Sequence, residues 1–354
     1  MSEIRVLEAI TPSRIGGAEV FVANLCESLP RLGAHVELFC PEGRPFVDYV
    51  AGRGISTISW RTHGKFDPIT VLRLASLIKK NNLDVIHTHL STASLLGALA
   101  AKLARRPSVA HVHGLNSATC FRYSTLVIAV SEAVKKHLCD QGIREDRVRV
   151  VHNGVDLSQL EPMHPTDARL KLGYDTQAPL LGVFGRLSSE KGQRVAIEAM
   201  FLLLQDHPKA RLVLAGEGKD WDELRASAHA LGISASVQFA GFVRNVRPLM
   251  SACDVVIVPS LKEGFGLAAV EAMALERPVV ASSVGGLPEI VVPDETGFLV
   301  PPNDPNAVAE SVSKLLADPI LARSMSKRGR ARVEERFNSE KQTRLVYSIL
   351  REVV

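Results

Sequence analysis

The sequence is most informative at residues 255–273, which read VVIVPSLKEGFGLAAVEAM. Residues 255–259 are almost continuously apolar, as expected for a buried strand of a parallel sheet. A short loop with Gly264 and Gly266 follows, and a helical pattern starts near Gly266. Because a helix N-terminus carries free N–H groups and a partial positive charge, this strand–loop–helix unit predicts a phosphate-binding site.

The same alternation of strand and helix extends in both directions and predicts an α/β protein with parallel sheets. Predicted strands cover 4–10, 35–40, 55–60, 84–88, 108–112, 126–130 and 148–152, then 180–184, 211–215, 237–240, 255–259, 278–282 and 297–300. We expect two doubly wound, Rossmann-like domains facing each other across a cleft, with ligands at the carboxyl ends of the strands. The proline-bearing segment 161–166 is the predicted linker, which gives domains of 1–160 and 161–337 and a C-terminal helix at 338–354.

Length and composition exclude several classes of protein. The 354 residues suggest about two domains, and a content of 46% hydrophobic and 23% charged residues is typical of a globular chain. No apolar stretch approaches the roughly 20 residues of a membrane-spanning helix, and the N-terminus has no secretory-signal pattern. The five cysteines are scattered without a Cys-x-x-Cys pair, so we expect reduced thiols and a cytoplasmic location.

Charge is unevenly distributed along the chain. Residues 1–160 hold 19 Lys and Arg against 14 Asp and Glu, whereas the whole chain has a net charge of +4. This basic half could face an anionic acceptor or the inner face of a membrane, where Lys102, Arg105 and Arg106 are candidate contacts; ordinary surface variation is the alternative. A nucleic-acid partner is not expected, because only 5% of residues are aromatic and the sequence has no dense basic stripe.

A second glycine-containing loop follows a predicted strand of the second domain. It reads GRLSSEKG at residues 185–192 and lacks Walker spacing. Arg186 offers a bidentate fork and Lys191 a point charge, so both could bind a diphosphate. The acids Glu263 and Glu271 of the first motif could accept hydrogen bonds from sugar hydroxyls, but either one taken alone could equally be an ordinary acid near a helix start.

A third glycine motif, Gly16 with Gly17, follows the first predicted strand. It resembles the glycine turn of a nucleotide-binding fold, but its spacing is not Gly-x-Gly-x-x-Gly. The strand 35–40 also ends without the acid that contacts a dinucleotide ribose. Both departures argue against an NAD-dependent enzyme.

Two histidine pairs lie at predicted strand ends of the first domain. His87 with His89, and His111 with His113, each share one face of a strand because side chains alternate there. Any of the four could bind a sugar hydroxyl or carry a proton near neutral pH, and spacing does not choose among them. No metal-ligand motif is present, so no metal site is expected.

These motifs together resemble the retaining glycosyltransferases of family 4, which have the GT-B fold. The resemblance covers nearly the whole chain, and it depends on the order of eight motifs because no single one is decisive. The matching segments are GGAE at 16–19, HG at 113–114, SE at 131–132, NGVD at 153–156, GRLSSEKG at 185–192, GEG at 216–218, EGFGLAAVE at 263–271 and GGLPE at 285–289.

The resemblance implies a role for individual residues. Arg186 and Lys191 would hold the donor diphosphate, and Glu271 would bind the ribose. Glu263 would contact hydroxyls of the transferred sugar, and His113 would sit beside that sugar, near its 6-hydroxyl. The implied catalytic residues are His113, Arg186, Lys191 and Glu263. The implied donor-binding residues are Gly16, Gly17, Gly185, Arg186, Lys191, Val243, Glu263, Gly264, Phe265, Gly266, Leu267 and Glu271.

Three further features follow from the resemblance. Backbone N–H groups of 265–267 would touch sugar or phosphate, and Val243 would lie beside the base. Gly16 and Gly17 would close over the phosphates from the N-terminal domain. The C-terminal helix would cross back onto the N-terminal domain.

The implied function is transfer of a hexose-type sugar, with retention, from a UDP- or GDP-linked donor to an acceptor hydroxyl. UDP is favoured, and the expected acceptor is a glycan or glycolipid of bacterial surface synthesis. With two cations at the diphosphate, neither a metal nor another cofactor is expected. A GT-B sugar-nucleotide epimerase and a non-catalytic nucleotide-sugar-binding protein are the alternatives. Acceptor contacts are expected in loops 60–67 and 115–124.

Overall fold

A parallel seven-stranded sheet organises the first of two units in this computed structural model, which describes residues 3–354. The first unit comprises the chain up to Gly154 together with Ser339–Val354, and the second comprises Val155–Asn338. The strands of the first unit are β1 (Ile4–Ile10), β2 (Ala34–Phe39), β3 (Thr57–Ile58), β4 (Val85–His89), β5 (Ser108–Val112), β6 (Leu126–Ala129) and β7 (Val148–Val150). Their order, β3-β2-β1-β4-β5-β6-β7, is that of a doubly wound sheet.

Helices cover both faces of this sheet. They are α1 (Gly17–Ser28), α2 (Pro45–Ala51), α3 (Pro68–Lys80), α4 (Ser91–Ala104), α5 (Glu132–Asp140) and the C-terminal α14 (Ser339–Glu352). Leu25 of α1 and Val346 of α14 pack with Val6 on one face, and Leu74 of α3 and Leu96 of α4 pack on the other. The C-terminal helix is therefore part of the first unit's core.

Strand register decides which polar side chains meet on the face covered by α1. Glu8 of β1 lies opposite His87 of β4, and His89 lies opposite His111 of β5. Paired residues of parallel strands point to the same face, and so do residues two apart on one strand. The three strands therefore place one acid and several histidines side by side.

The second unit repeats the architecture with a six-stranded parallel sheet, ordered β10-β9-β8-β11-β12-β13. Its strands are β8 (Leu180–Phe184), β9 (Arg211–Ala215), β10 (Val237–Gly241), β11 (Val255–Val258), β12 (Val279–Ser282) and β13 (Phe298–Val300). Its helices are α6 (Pro165–Leu172), α7 (Gln193–Leu203), α8 (Trp221–Ala230), α9 (Val246–Ala252), α10 (Leu267–Ala274), α11 (Leu287–Ile290), α12 (Pro305–Ala317) and α13 (Pro319–Arg336). The expected pair of Rossmann-like domains is thus confirmed.

Local differences from the sequence-based expectations have physical causes. The chain changes unit between Gly154 and Val155, whereas the sequence placed the boundary after residue 160. Pro165, assigned to the linker, is instead the first residue of α6, a position where its missing N–H costs nothing. Pro30 follows the end of α1 and begins a 3₁₀ turn. None of the helices within residues 3–354 has the length and apolar character needed to cross a membrane.

Candidate functional site

Four loops of the second unit follow the carboxyl ends of neighbouring strands β9, β8, β11 and β12. Glycines let these loops approach each other more closely than any side chain would allow. A Cβ added to Gly216 would lie only 1.9 Å from the Gly185 carbonyl oxygen. The corresponding distances are 1.9 Å from Gly192 to the Pro259 oxygen and 1.7 Å from Gly285 to the Glu263 oxygen. Backbone contacts therefore connect the four loops in the order of their strands.

Lys191 and Glu263 form an ion pair between two of these loops. Lys191 Nζ lies 2.6 Å from Glu263 Oε2, and Ser260 Oγ donates to the same oxygen at 3.0 Å. The side chain of Glu263 is 10% exposed and that of Lys191 is 29% exposed. Because water screens this pair weakly, removing either member would leave the other charge partly buried without its counter-ion. An anionic ligand bound here would compete with Glu263 for Lys191.

Arg186 lies on the same loop as Lys191 and is more exposed. Its Nη2 donates to Glu190 Oε2 at 3.0 Å, and the exposed fractions of the two side chains are 38% and 51%. The loop is held from both sides, since Gln193 Nε2 donates to the Arg186 carbonyl and the Glu190 carbonyl accepts from the N–H of Leu261. A rigid loop therefore carries an accessible guanidinium.

The helix α10 begins directly after the glycine loop, as the sequence predicted. Gly266 precedes it with φ of 120°, a conformation that L side chains rarely adopt, and a Cβ there would lie 2.6 Å from Leu287 Cδ2. Phe265 is 3% exposed, and its ring packs edge-on against Phe337 at 5.7 Å. The ring of Phe265 is therefore a core group, and its backbone is the part that could face a ligand.

Glu271 lies in the second turn of α10. Desolvation by burial raises the pKa of this carboxyl from the usual 4.5 to about 7. The residue as a whole is partly exposed. Glu271 can thus change charge near neutral pH, a property typical of residues in functional sites.

Other predicted residues lie elsewhere. Val243 follows β10 at the edge of the sheet, in a loop joined to the β9 loop by a hydrogen bond from the Gly216 N–H to the Gly241 carbonyl at 2.8 Å. Gly16 and Gly17 lie in the first unit, where Glu19 Oε2 accepts from the Gly16 N–H at 3.0 Å and caps α1. The donor contacts expected of Val243, Gly16 and Gly17 stay predictions.

The first unit contains a buried network that we call the histidine cluster: Glu8, His87, His89, His111 and His113. Glu8 Oε1 lies 2.9 Å from His87 Nδ1, and Glu8 Oε2 lies 2.7 Å from His89 Nε2. His89 Nδ1 lies 3.0 Å from His113 Nε2, and His87 Nε2 lies 3.3 Å from His111 Nδ1. Glu8, His87, His89 and His111 are fully buried, whereas His113 is half-buried.

Burial controls the charge of these rings. Desolvation lowers the pKa of the His89 and His111 imidazoles well below their usual range, and it lowers the pKa of His113 to about 3. The neighbouring histidines lower these pKa values further, since a second positive charge in a buried cluster is unfavourable. The three rings are therefore neutral at pH 7.

Sequence reasoning recognised the four histidines but missed Glu8. A signal was present, because Glu8 is the one acid inside the otherwise apolar core of the first strand, IRVLEAI. Candidate ligand atoms of His87, His89 and His111 all lie within 4.8 Å of one another. Histidine spacing along the chain did not show this proximity, which strand register produces.

Comparison with known proteins identifies the family. The protein-family model described as Glycosyl transferases group 1 matches residues 166–332, and the one described as Glycosyltransferase Family 4 matches residues 15–159. An uncharacterized glycosyltransferase of Methanocaldococcus jannaschii is 30% identical, over 97% of this chain and 97% of its own length. The chain belongs to glycosyltransferase family 4. The resemblance seen in the sequence is thus confirmed, and the fold is of the GT-B type.

Two relatives of this glycosyltransferase have informative names. An Escherichia coli enzyme, UDP-Gal:α-D-GlcNAc-diphosphoundecaprenol α-1,3-galactosyltransferase, is 26% identical over 95% of this chain and 94% of its own. The crystal structure of Anabaena Alr3699/HepE in complex with UDP-glucose matches with a TM-score of 0.88 and 26% identity, covering 99% of this chain and 100% of the other. These names describe those proteins.

Proposed function

We propose that this glycosyltransferase moves a hexose from a UDP-sugar, with retention, to a hydroxyl of a glycan or glycolipid in bacterial surface synthesis. The observation that carries the proposal is the Lys191–Glu263 ion pair, beside exposed Arg186, on the glycine-linked loops of the second unit. UDP is favoured over GDP, because a structural relative of similar length was crystallised with UDP-glucose.

The ion pair suggests how the donor is received. The diphosphate takes Lys191 as its counter-ion, and Glu263 then turns its released oxygen to a hydroxyl of the sugar. Arg186 binds the diphosphate as a bidentate fork. As the bond to the anomeric carbon breaks, both cations stabilise the charge that develops on the departing diphosphate. With this charge supplied by the protein, transfer proceeds without a metal ion.

The remaining donor contacts extend from this centre. Glu271 accepts hydrogen bonds from ribose hydroxyls, and the backbone N–H groups of 265–267 face sugar or phosphate. Gly185 and Gly264 allow close backbone approach, and Val243 lies beside the base. In the first unit, Gly16 and Gly17 bind the phosphates and His113 contacts the sugar. The acceptor hydroxyl attacks the same face of the anomeric carbon that the diphosphate leaves, and its proton passes to the departing diphosphate.

An exposed face of the first unit supports a peripheral membrane contact. The α3–α4 face consists of five apolar side chains and five cations, all exposed: Phe66, Ile69, Leu72, Leu99 and Leu103, with Lys65, Arg73, Lys102, Arg105 and Arg106. The two acids of residues 61–107 are engaged elsewhere, since Asp67 caps α3 and Asp84 accepts from the Arg5 N–H. Apolar side chains among cations suit an anionic membrane surface, where a lipid-linked acceptor would be met.

Product analysis tests the proposed reaction. UDP-glucose is incubated with the purified chain, and proton NMR follows free UDP and the anomeric signal of released glucose, with water as acceptor. Retention gives α-glucose before mutarotation, since UDP-glucose is an α-glycoside. First-formed β-glucose would contradict retention. Interconversion of the nucleotide sugar without release of UDP would favour the epimerase, and binding without turnover would favour the non-catalytic alternative.

A further inference from the structure

The hydrogen bonds of the histidine cluster can be ordered by starting at Glu8. An ionised carboxylate only accepts hydrogen bonds, so the ring nitrogens facing it must carry hydrogens. These nitrogens are His87 Nδ1 at 2.9 Å and His89 Nε2 at 2.7 Å. In a neutral imidazole the other nitrogen is then an acceptor. An ionised Glu8 that faces neutral rings would therefore make His87 Nε2 and His89 Nδ1 acceptors.

The next pair of rings follows from the first. His113 Nε2, 3.0 Å from His89 Nδ1, must donate, and so must His111 Nδ1, 3.3 Å from His87 Nε2. Each branch then ends in a nitrogen with a lone pair. One end is His111 Nε2, which is buried without a hydrogen-bond partner among residues 3–354. The other end is Nδ1 of His113, the half-buried ring of the cluster.

We propose that Glu8 is a positioning residue that acts through His89. It fixes His113 in the tautomer with hydrogen on Nε2, so that Nδ1 accepts a hydrogen bond from a hydroxyl of the transferred sugar. The inference rests on the proposed function, which puts His113 beside that sugar. The ring of His113 also stacks on that of His111, with centroids 4.6 Å apart and an angle of 4° between the ring planes, and this contact helps to hold it in place.

A metal ion is the competing use of the same nitrogens. His87, His89 and His111 are close enough to bind one. However, metal binding needs a free lone pair on each ligand, and hydrogen bonds already engage both ring nitrogens of His87 and of His89. Within residues 3–354, His111 Nε2 is the one ring nitrogen of these three histidines that lacks a hydrogen-bond partner. One free nitrogen does not make a metal site, so we infer a proton-ordered network.

The direct test is the tautomer of His113 in the unmodified chain. Ring-¹⁵N spectra of histidine-labelled protein at pH 7 distinguish the two neutral tautomers and the imidazolium, and loss of one signal in His113→Asn assigns the ring. We expect a neutral ring with hydrogen on Nε2. Hydrogen on Nδ1, an imidazolium, or a stoichiometric bound metal that shifts the cluster's signals would overturn the proposal.

The second test separates positioning from folding. Glu8→Gln replaces an acceptor oxygen by an amide that donates, and should reverse one branch of the network. The dissociation constant of the Glu8→Gln variant for UDP-glucose should rise about five- to tenfold, the effect of losing one hydrogen bond. Its dissociation constant for UDP should stay unchanged, because His113 contacts the sugar. Glu37→Gln is the matched control, since Glu37 on β2 bonds Asn81 at 2.8 and 2.9 Å and should leave both constants unchanged.

A double-mutant cycle decides whether Glu8 acts through His113. If it does, adding Glu8→Gln to His113→Ala causes no further loss of UDP-glucose affinity. Additive losses, or an equal loss of UDP affinity, would overturn the proposal. If the unmodified chain bound UDP but no UDP-glucose, the proposed donor and the sugar contact would fail, and the ring spectra would still decide the tautomer.

Discussion

At the scale of single residues, Arg186 can be replaced to test the chemistry without a change in stability. Its guanidinium is exposed and its ion pair with Glu190 is exposed too, so the pair adds little stability. We predict that Arg186→Ala lowers kcat for transfer by about 10²–10³, the usual effect of removing one donor to developing charge. Its thermal midpoint should match that of the unmodified chain.

The control for this prediction is Arg194→Ala. Arg194 lies on the following helix, α7, and pairs with Glu198 and Glu223 while remaining 62% exposed. It has no assigned contact with the donor, so both activity and thermal midpoint should be unchanged. Near-normal turnover in Arg186→Ala would remove that residue from the diphosphate site.

The Lys191–Glu263 pair predicts different effects for its two members. Lys191→Met should weaken binding of UDP and UDP-glucose alike, because the diphosphate is common to both. Glu263→Gln should weaken UDP-glucose selectively, by about tenfold for a charge-assisted hydrogen bond. Calorimetric titration of each variant with both ligands measures this. Equal losses in Glu263→Gln would show that the carboxylate acts by holding Lys191 and does not contact the sugar.

Glu271 predicts a pH dependence. Its folded pKa of about 7 lies above the usual 4.5, so the folded chain binds a proton more tightly. Its contribution to stability is present below pH 4.5 and is lost as the pH rises towards 7. If the carboxylate binds the ribose, UDP affinity should rise through this same pKa. In Glu271→Gln both trends should vanish, which thermal scans and UDP titrations across this range would show.

The sequence predicted which residues are functional more readily than which residues they contact. The sequence indicated Arg186, Lys191, Glu263 and Glu271 as functional residues. It could not indicate that Lys191 and Glu263 form an ion pair, because loop packing brings them together. Glu8 was missed for the same reason, since its histidine partners lie on a different strand.

At the scale of elements, the glycine contacts between loops predict that a side chain at Gly192 lowers both stability and UDP binding. Gly192 has φ of 65°, and a Cβ there would meet the Pro259 carbonyl oxygen at 1.9 Å. Gly192→Ala must therefore separate two loops, and should lower stability by several kcal/mol as well as abolish UDP binding. Gly232 has φ of 71° with open space around its Cβ, so Gly232→Ala should cost only about 1 kcal/mol.

Chemical denaturation of both variants, followed by UDP titration, tests the loop contacts. The two glycines share the strained backbone conformation and differ in the facing carbonyl, so their difference isolates the clash. Equal stabilities, with UDP binding retained in Gly192→Ala, would show that the loops can separate without harm.

Elements with a strong local pattern were predicted well. The bounds of β5, β8 and β9 agree with the sequence-based ranges, because each is a short apolar run between polar loops. The strand at 55–60 is shorter in the structure, covering Thr57–Ile58 at the edge of its sheet, where one neighbour supplies the pairing. Pro165 was read as a loop residue although proline also begins helices.

At the scale of the whole molecule, the α3–α4 face predicts reversible membrane binding. Vesicles containing phosphatidylserine should sediment the chain at low salt and release it at high salt. Replacing Lys102 and Arg106 by Ser should weaken binding about 30-fold, since each cation contributes about 1 kcal/mol near such a surface. The matched control, Ser at Arg323 and Lys327 of the exposed surface of α13, changes charge equally and should bind normally.

We propose above all that the chain binds a UDP-linked sugar without a metal ion. We would measure the thermal midpoint of purified chain with UDP, GDP and ADP, each with and without EDTA. We predict a shift with UDP that EDTA leaves unchanged, equivalent to about 2.7 kcal/mol at 100 times the dissociation constant. A UDP shift that EDTA abolishes would contradict metal independence, and no shift with any nucleotide would contradict the donor site itself.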